Sequence, residues 1–280
     1  MNNSPNSHRD RSRVHGDEGA VVPAARTCDR VKQALDYGLA LLMLLAALPV
    51  VALAAVMIRI TSRGPVIYSQ TRLGRGGRHY RIFKLRTMYH NCEAMSGIQW
   101  ATKGDARITP LGRFLRATHI DELPQLWNVL NGDMSLIGPR PERPEIARRL
   151  EEAVPGFRDR TAVKPGVTGL AQVLLPPDSD LNSVRRKLIV DRVYIGRRTW
   201  RLDLLILVGT ALHVAKVPPT WILRALALPV DRSVVMEGMA ANSSSTQPSA
   251  GAVVRAARLS LGEPRTSSAP PAASAPGVAG

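Results

Sequence analysis

Asp121 and Glu122 stand side by side immediately before an apolar run. Leu123, Leu126, Trp127 and Leu130 recur at helical spacing, which predicts a helix with one apolar stripe. Pro124 is tolerated in a first turn, where its missing N–H has no intrahelical partner. The helix is therefore expected to start at or just before Asp121, a residue type that favours the cap, and Asn131-Gly132 supplies a stop. Two carboxylates at the positive end of a helix dipole are stabilised as anions. As neighbours they point in different directions, so they are not a facing pair sharing one proton. A division of labour is more natural: one attacks or moves protons and the other holds a divalent cation. An ordinary cap followed by a first-turn acid is the competing reading. Gly138-Pro139-Arg140-Pro141 is a rigid turn presenting an arginine, and Arg116 lies just upstream of the pair. Carboxylates between arginines suit a metal-bridged phosphate better than a cap alone.

The rest of the chain must position these groups. It has 280 residues, with 38 basic and 22 acidic side chains and a formal charge of +16. Such a balance implies a polyanionic partner: nucleic acid, anionic lipid or a phosphate-rich substrate. Aromatics at 4% are too few for a base-stacking surface. Cys28 and Cys92 form neither metal-ligand spacing nor a disulfide framework and read as free thiols in a reducing compartment. No HxH or HExxH spacing occurs, so a histidine zinc site is not expected.

Tyr37 to Ile58 carries no charge over about 22 residues, enough to span a bilayer. Pro49 interrupts it, and basic residues flank both ends: Arg26, Arg30 and Lys32 before, Arg59, Arg63, Arg72, Arg75 and Arg78 after. A spanning helix should leave one flank poor in Lys and Arg. A straight span and a helix-break-helix hairpin returning to one face both stay open on this pattern. Gly64–Gln70 reads as a turn and short strand, and Arg72–Arg81 as a basic, glycine-rich loop that is solvated or touches headgroups. Alternation in Phe83–Met88 puts Lys84 and Arg86 on one strand face, either exposed or meeting phosphate. Tyr89–Asp105 reads as a mostly helical excursion without chemistry, and Glu145–Ala153 as a charged surface helix. Val163–Val173 contains a tight Gly-Pro turn, structural or allowing backbone to approach a ligand. Leu204–Val217 is apolar but short for a span. With Trp200, Trp221, Arg197, Arg198, Arg201, Lys216 and Arg224 around it, it suits a helix lying in the membrane interface, or else a core helix.

The run Asp121–Leu130, continued by Gly132–Pro141, resembles the signature of the bacterial sugar transferases, which are monotopic phosphoglycosyl transferases. The resemblance covers roughly Val31–Lys216. It includes Lys84-Leu85-Arg86-Thr87-Met88, Lys164-Pro165-Gly166-Val167-Thr168-Gly169, and Asp191 with Tyr194. It implies transfer of a sugar 1-phosphate from a UDP-sugar to undecaprenyl (polyprenyl) phosphate, the first membrane step of exopolysaccharide, O-antigen or glycoconjugate synthesis. In the implied mechanism Asp121 is the nucleophile and Glu122 a ligand of Mg2+. Lys84, Arg86, Arg116, Arg140, Lys164 and Asp191 are the implied substrate-binding residues. The family's membrane helix is re-entrant and breaks at a Ser-Pro pair; here the pair is Leu48-Pro49. Leu175–Asp180 departs from the family's Gly-Arg-rich loop and bears on which sugar is read.

The expected fold is α/β and mostly helical. It is a compact catalytic unit seated on the cytoplasmic face of the bacterial inner membrane by the re-entrant helix and interfacial amphipathic helices. Residues 1–30 are an expected disordered tail, 31–62 the re-entrant membrane helix, 63–235 the catalytic domain and 236–280 a second disordered tail. The expected partners are the UDP-sugar, polyprenyl phosphate and an anionic membrane surface, with no nucleic acid. A non-enzymatic basic membrane scaffold is the alternative; it has no need of an Asp-Glu pair beside arginines.

Overall fold

The computed structural model describes residues 27–92 and 104–244. Most of both expected tails and most of the Tyr89–Asp105 excursion lie outside the described residues. In chain order the elements are α1 (Thr27–Thr61), β1 (Ile67–Leu73), β2 (His79–Leu85), α2 (Pro110–Ala117), α3 (Gln125–Leu130), β3 (Ser135–Ile137), α4 (Pro144–Ala153), β4 (Gly166–Thr168), α5 (Leu170–Leu174), α6 (Leu181–Arg197), α7 (Trp200–Val214), α8 (Pro219–Ala225) and α9 (Arg232–Ser244). Helix dominates, with two small two-stranded sheets: β1 and β2 antiparallel, β3 and β4 parallel.

α1 is continuous through Pro49, so the hairpin break expected at Leu48-Pro49 is not formed. Proline removes one backbone hydrogen bond, but Leu, Ala and Met on both sides are strong helix formers. No serine precedes Pro49 to hold a freed backbone group in another conformation. α1 is the one helix among the described residues that is long and apolar enough to cross a membrane, and only 11% of its apolar window is buried. Ala40, Ala47 and Ala54, spaced by seven, lie on its buried stripe with Asp36 and Ile58. Small side chains there let α1 lie close against α3. Leu42, Leu45, Leu53 and Ile60 remain exposed.

Both ends of α1 are held by the same body. Near its start, Lys32 Nζ donates to Asp203 Oδ2 on α7 at 2.7 Å, and Ser135 Oγ on β3 donates to Asp36 Oδ2 at 2.6 Å. Near its end, Ala54 and Ile58 pack with Leu85 and Leu115. Arg86 then clamps the exit from the helix, donating to the Ser62 and Arg63 carbonyls at 2.8 Å and to Ser62 Oγ at 2.7 Å.

The expected Arg72–Arg81 loop is mostly strand. Registered pairing from Ile67↔Leu85 to Leu73↔His79 leaves only Gly74–Arg78 as the turn. Gly76 and Gly77, at φ 66° and 77°, supply the left-handed residues that such a turn needs. Leu126, Val129, Met134, Leu136, Ile137, Leu170, Leu174, Val190, Tyr194, Ile206 and Ile222 form the main core between α3, the β3–β4 pair and α5–α8. The expected boundary at residue 236 falls inside α9, whose Val235 is buried and whose Val234 and Met239 pack on that core. These scattered apolar residues are enough to fold a turn that its Ala- and Ser-rich composition conceals.

Candidate active site

α2 leads the chain into the site. Its cap is Thr109, whose Oγ1 accepts from the Gly112 N–H at 2.9 Å. After Thr118 the backbone reverses through His119, in the left-handed region at φ 57°. Ile120–Glu122 then form a 3-10 turn and Pro124 caps α3. The expected helix start at Asp121 is thus displaced: the carboxylates precede α3 in a turn of their own, because the left-handed His119 breaks the approach and Pro124 delays the α-helical ladder. The expected stop holds, with Asn131 as the C-cap and Gly132 at φ 80°.

The two acids have opposite surroundings. Asp121 is 6% exposed and receives no hydrogen bond from the described residues. Burial, then the charge of Glu122, push its carboxyl up to about 6, against the pull of Lys84 and Arg116. Glu122 is saturated. Lys84 Nζ donates to Oε1 at 2.7 Å, and Arg140 donates to Oε1 at 2.7 Å and to Oε2 at 3.3 Å. Burial works to raise the Glu122 carboxyl, but Arg140 and Lys84 override it and hold it well below the usual carboxylate range.

Each cation is placed by an identifiable support. Lys84 lies on β2, which Asn128 of α3 fastens: Oδ1 accepts from the Phe83 N–H at 3.0 Å and Nδ2 donates to the Arg81 carbonyl at 2.7 Å. Arg116 donates from Nε to Thr87 Oγ1 at 2.8 Å, beside Asp121. Arg140 leaves a turn whose base is pressed against the Lys164–Gly169 turn. A Cβ on Gly166 would meet the Gly138 nitrogen at 2.1 Å, and the Gly166 N–H donates to the Pro139 carbonyl at 3.0 Å. The glycines of that segment admit a second backbone, where a ligand was the open alternative.

The structure therefore gathers Asp121, Glu122, Lys84, Arg116 and Arg140. It does not bring Arg86, Lys164 or Asp191 to them. Arg86 serves α1, because β2 ends at Leu85 and the alternation that paired it with Lys84 ends there too. Lys164 lies beyond the other end of α3, with Nζ 6.0 Å from the Tyr37 ring centre. Asp191 is buried and pairs with Arg160 Nε at 2.7 Å; Arg160 in turn donates to the Arg140 carbonyl at 3.1 Å. It acts on the site at two removes. The Leu175–Asp180 departure supplies the N-cap of α6, where Asp180 Oδ1 accepts from the Ser183 N–H at 2.8 Å.

Sequence reasoning missed Asn128, Arg160 and Tyr80. An asparagine inside an apolar helix stripe was the available sign for the first. Arg160 gave none, its partners being 31 and 20 residues away. The Tyr80 hydroxyl is buried without a partner among the described residues, in the electrostatic neighbourhood of Arg72, Asp133 and Arg140.

The fit of a divalent cation follows from the same geometry. Among the described residues no cluster of three His, Cys, Asp or Glu side chains exists to hold one. Glu122, the expected ligand, has both oxygens occupied by cations. Asp121 has no donor and is under-stabilised as an anion. These residues fit an ion that arrives partly hydrated on a phosphate substrate and meets carboxylate oxygen there, as Mg2+ does.

Residues 27–217 match the family model described as bacterial sugar transferase. The chain is similar to a putative undecaprenyl-phosphate N-acetylgalactosaminyl 1-phosphate transferase of Bacillus subtilis, 48% identical over 130 residues, covering 46% of this chain and 72% of the relative. It is similar to a UDP-N-acetylgalactosamine-undecaprenyl-phosphate N-acetylgalactosaminephosphotransferase of Aeromonas hydrophila, 40% identical over 64% of this chain but spanning only 42% of that relative. A UDP-glucose:undecaprenyl-phosphate glucose-1-phosphate transferase of Caulobacter vibrioides is 42% identical over 65% of this chain and 68% of its own length. With the match covering most of its length and the Asp-Glu pair and its arginines gathered in one place, the chain belongs to the bacterial sugar transferase family.

Proposed function

We propose that this protein transfers a sugar 1-phosphate from a UDP-sugar to undecaprenyl phosphate and releases UMP, as the first membrane step of exopolysaccharide or glycoconjugate synthesis. The observation that carries it is the contrast between a buried, donor-free Asp121 and a neighbouring Glu122 neutralised by Lys84 and Arg140. A free carboxylate in a cationic enclosure is suited to attack phosphorus, while its neighbour holds the cations in place. An Asp121 carboxylate oxygen bonds to the β-phosphorus, the bridging P–O bond breaks, and UMP departs with the electron pair. An oxygen of polyprenyl phosphate then bonds to the same phosphorus, and the acyl-phosphate bond breaks to restore the Asp121 carboxylate. Arg116 and Arg140 face the charge that develops on the phosphoryl oxygens. Mg2+, when bound with the diphosphate, supplies neutralisation of its charge; Asp121, with Glu122 if it exchanges a cation partner, would hold it.

The test is UMP release from a panel of UDP-sugars in detergent. Without lipid acceptor, UMP should stop at an amount set by the enzyme, and polyprenyl phosphate should make release catalytic. Release that needs the acceptor from the first turnover would overturn the two-step mechanism. No release from any sugar would favour the scaffold reading. The relatives' names include both N-acetylgalactosamine and glucose, so these head the panel.

We further propose that α1 enters the membrane from the cytoplasmic face and does not cross it. Asp36 and Ile58, bound to one domain, are separated by about 33 Å of helix at 1.5 Å per residue, about the thickness of a hydrocarbon core. A helix crossing that core would carry its two contact points to opposite faces, out of reach of a single domain. Exposed Trp200, Leu204, Val208 and Val214 on α7 support an interfacial seat alongside. In a background without native cysteines, Arg30→Cys and Arg63→Cys should both react with an impermeant maleimide only from the cytoplasmic side. Labelling from opposite sides would make α1 a true span.

A further inference from the structure

Gln125 is 1% exposed, and its Nε2 has no hydrogen-bond partner among the described residues. A buried donor without an acceptor is unfavourable, and few are left so in a folded protein. Asn128, further along α3, shows what a buried amide does when its role is structural. Its two ends are taken by the Phe83 N–H and the Arg81 carbonyl. These bonds also fix which side of α3 rests on β2. Lys84 of the same strand reaches Glu122 at 2.7 Å. Gln125 stands between Asn128 and the two acids, three residues from Asn128, three from Glu122 and four from Asp121.

The backbone from the acids into α3 is helical throughout. Ile120–Glu122 form the 3-10 turn, Leu123 lies at φ −55° and ψ −35°, and Pro124 at φ −62° and ψ −15°. Residues three and four apart are then neighbours, with about 5–6 Å between Cβ atoms, and Gln with Asp is one of the pairs that bond at this separation. Helical side chains also lean toward the N-terminus, so that of Gln125 covers the turn before it, the turn that carries the acids. Glu122 is already occupied, accepting three bonds from Lys84 and Arg140. Asp121 accepts none among the described residues and is 6% exposed. A buried donor lacking an acceptor and a buried acceptor lacking a donor thus lie within about one turn of each other.

We infer that Gln125 is a positioning residue for the transfer, its Nε2 donating to one carboxylate oxygen of Asp121 in the reacting state and leaving the other oxygen to bond phosphorus. A carboxylate without a donor turns freely about its side-chain bonds. A donor on one oxygen selects the orientation in which the second meets the β-phosphorus. Once that oxygen has bonded to phosphorus, the same N–H faces the acyl carbonyl oxygen, so the hydrogen bond is kept and no proton moves. The inference rests on the transferase reading, with Asp121 as the nucleophile.

The test uses the full chain in detergent, given UDP-sugar without lipid acceptor. Gln125→Met fills nearly the same volume without a donor. Its enzyme-limited release of UMP, followed by rapid quenching, should reach the wild-type amount but about 10–100-fold more slowly, the factor that a hydrogen bond to a charged group represents. The UDP-sugar concentration giving half the maximal rate should not change, because the amide acts on Asp121 and not on the sugar nucleotide. The melting midpoint without substrate should be equal or higher, since the variant loses an unpaired buried donor. Gln125→Leu should repeat all three results with a second apolar shape. An unchanged rate in both variants, beside a wild type that does release UMP, would overturn the inference alone. So would a midpoint lowered along with the rate, which would make Gln125 a structural amide like Asn128. A raised half-saturating concentration with an unchanged rate at saturation would make it a substrate contact and equally overturn the inference. No enzyme-limited release from wild type would overturn the two-step mechanism, and the inference with it.

Discussion

Asp121→Asn should abolish transfer and at the same time make the protein more stable. The asparagine keeps the shape of the side chain but has no anionic oxygen to form an acyl phosphate, so incubation with UDP-sugar should leave the intact mass of the protein unchanged. The stability gain follows from the Asp121 carboxyl being pushed up to about 6 from 3.8 by burial and by Glu122. A carboxyl that holds its proton more tightly in the folded state contributes stability that is complete below the unfolded value and is lost as pH rises through the folded one. At pH 7 the charged form is a liability of up to about 3 kcal/mol, at about 1.4 kcal/mol per pH unit. Removing the charge should recover ~1–3 kcal/mol and raise the melting midpoint by roughly 2–10 °C. The gain should shrink as the pH is lowered from 7 towards 4. Wild-type turnover should fall about tenfold per pH unit below about 6, as the proposed nucleophile takes up its proton. An adduct on the asparagine variant would place the nucleophile elsewhere, and a lowered midpoint would show that the charge of Asp121 is well accommodated.

Glu122→Gln should move stability the other way. The substitution leaves Lys84 and Arg140 facing each other across a neutral amide. Their side chains are 18% and 45% exposed and that of Glu122 is 14%. Removing one partner of a fully buried pair costs about 3–5 kcal/mol, and the partial exposure of Arg140 brings the expectation to about 2–3 kcal/mol. Activity should fall by roughly 100-fold or more, because neither cation is then held to the geometry that a phosphoryl group requires. Glu122 lies below the usual carboxylate range, so its contribution is present above its unfolded value of 4.5 and is lost as pH falls through its folded one. The decisive comparison omits substrate and Mg2+. A carboxylate that organises two cations is missed there as well, whereas a pure metal ligand is not. A Glu122→Gln variant as stable as wild type without Mg2+, and restored in activity by excess Mg2+, would return Glu122 to the role of ion ligand.

These two neighbours also mark how far residue patterns reach. That Asp121 and Glu122 point apart was legible from their adjacency, as was the stop at Asn131-Gly132. Their depth was not, because it depends on a left-handed His119 that no local preference requires. Alternation put Lys84 and Arg86 on one face, either exposed or meeting phosphate, and it has no means of knowing that β2 stops one residue before Arg86. Pro49 carries a strong local bias against helix, yet one lost hydrogen bond does not outweigh the Ala- and Leu-rich turns around it. Asp191 was visible as a motif residue, while its effect passes through Arg160, a partner that only the folded chain supplies. Patterns within a few residues were readable; supports that join distant segments were not.

The ion pair between Lys32 and Asp203 joins residues 171 apart in the chain. At a synthesis rate of about 5–20 residues per second, roughly 10–30 seconds separate the emergence of the two from the ribosome. During that interval α1 exists without α7, and for more than half of it without α3, against which its alanine stripe lies, and without β3. A helix so apolar has no stable place in water for that long. Under the membrane seat proposed above, the bilayer receives it first, and the domain then assembles against a helix already in position. On that proposal α1 is made well before the segments that pack against it, and lipid serves in the meantime as its chaperone.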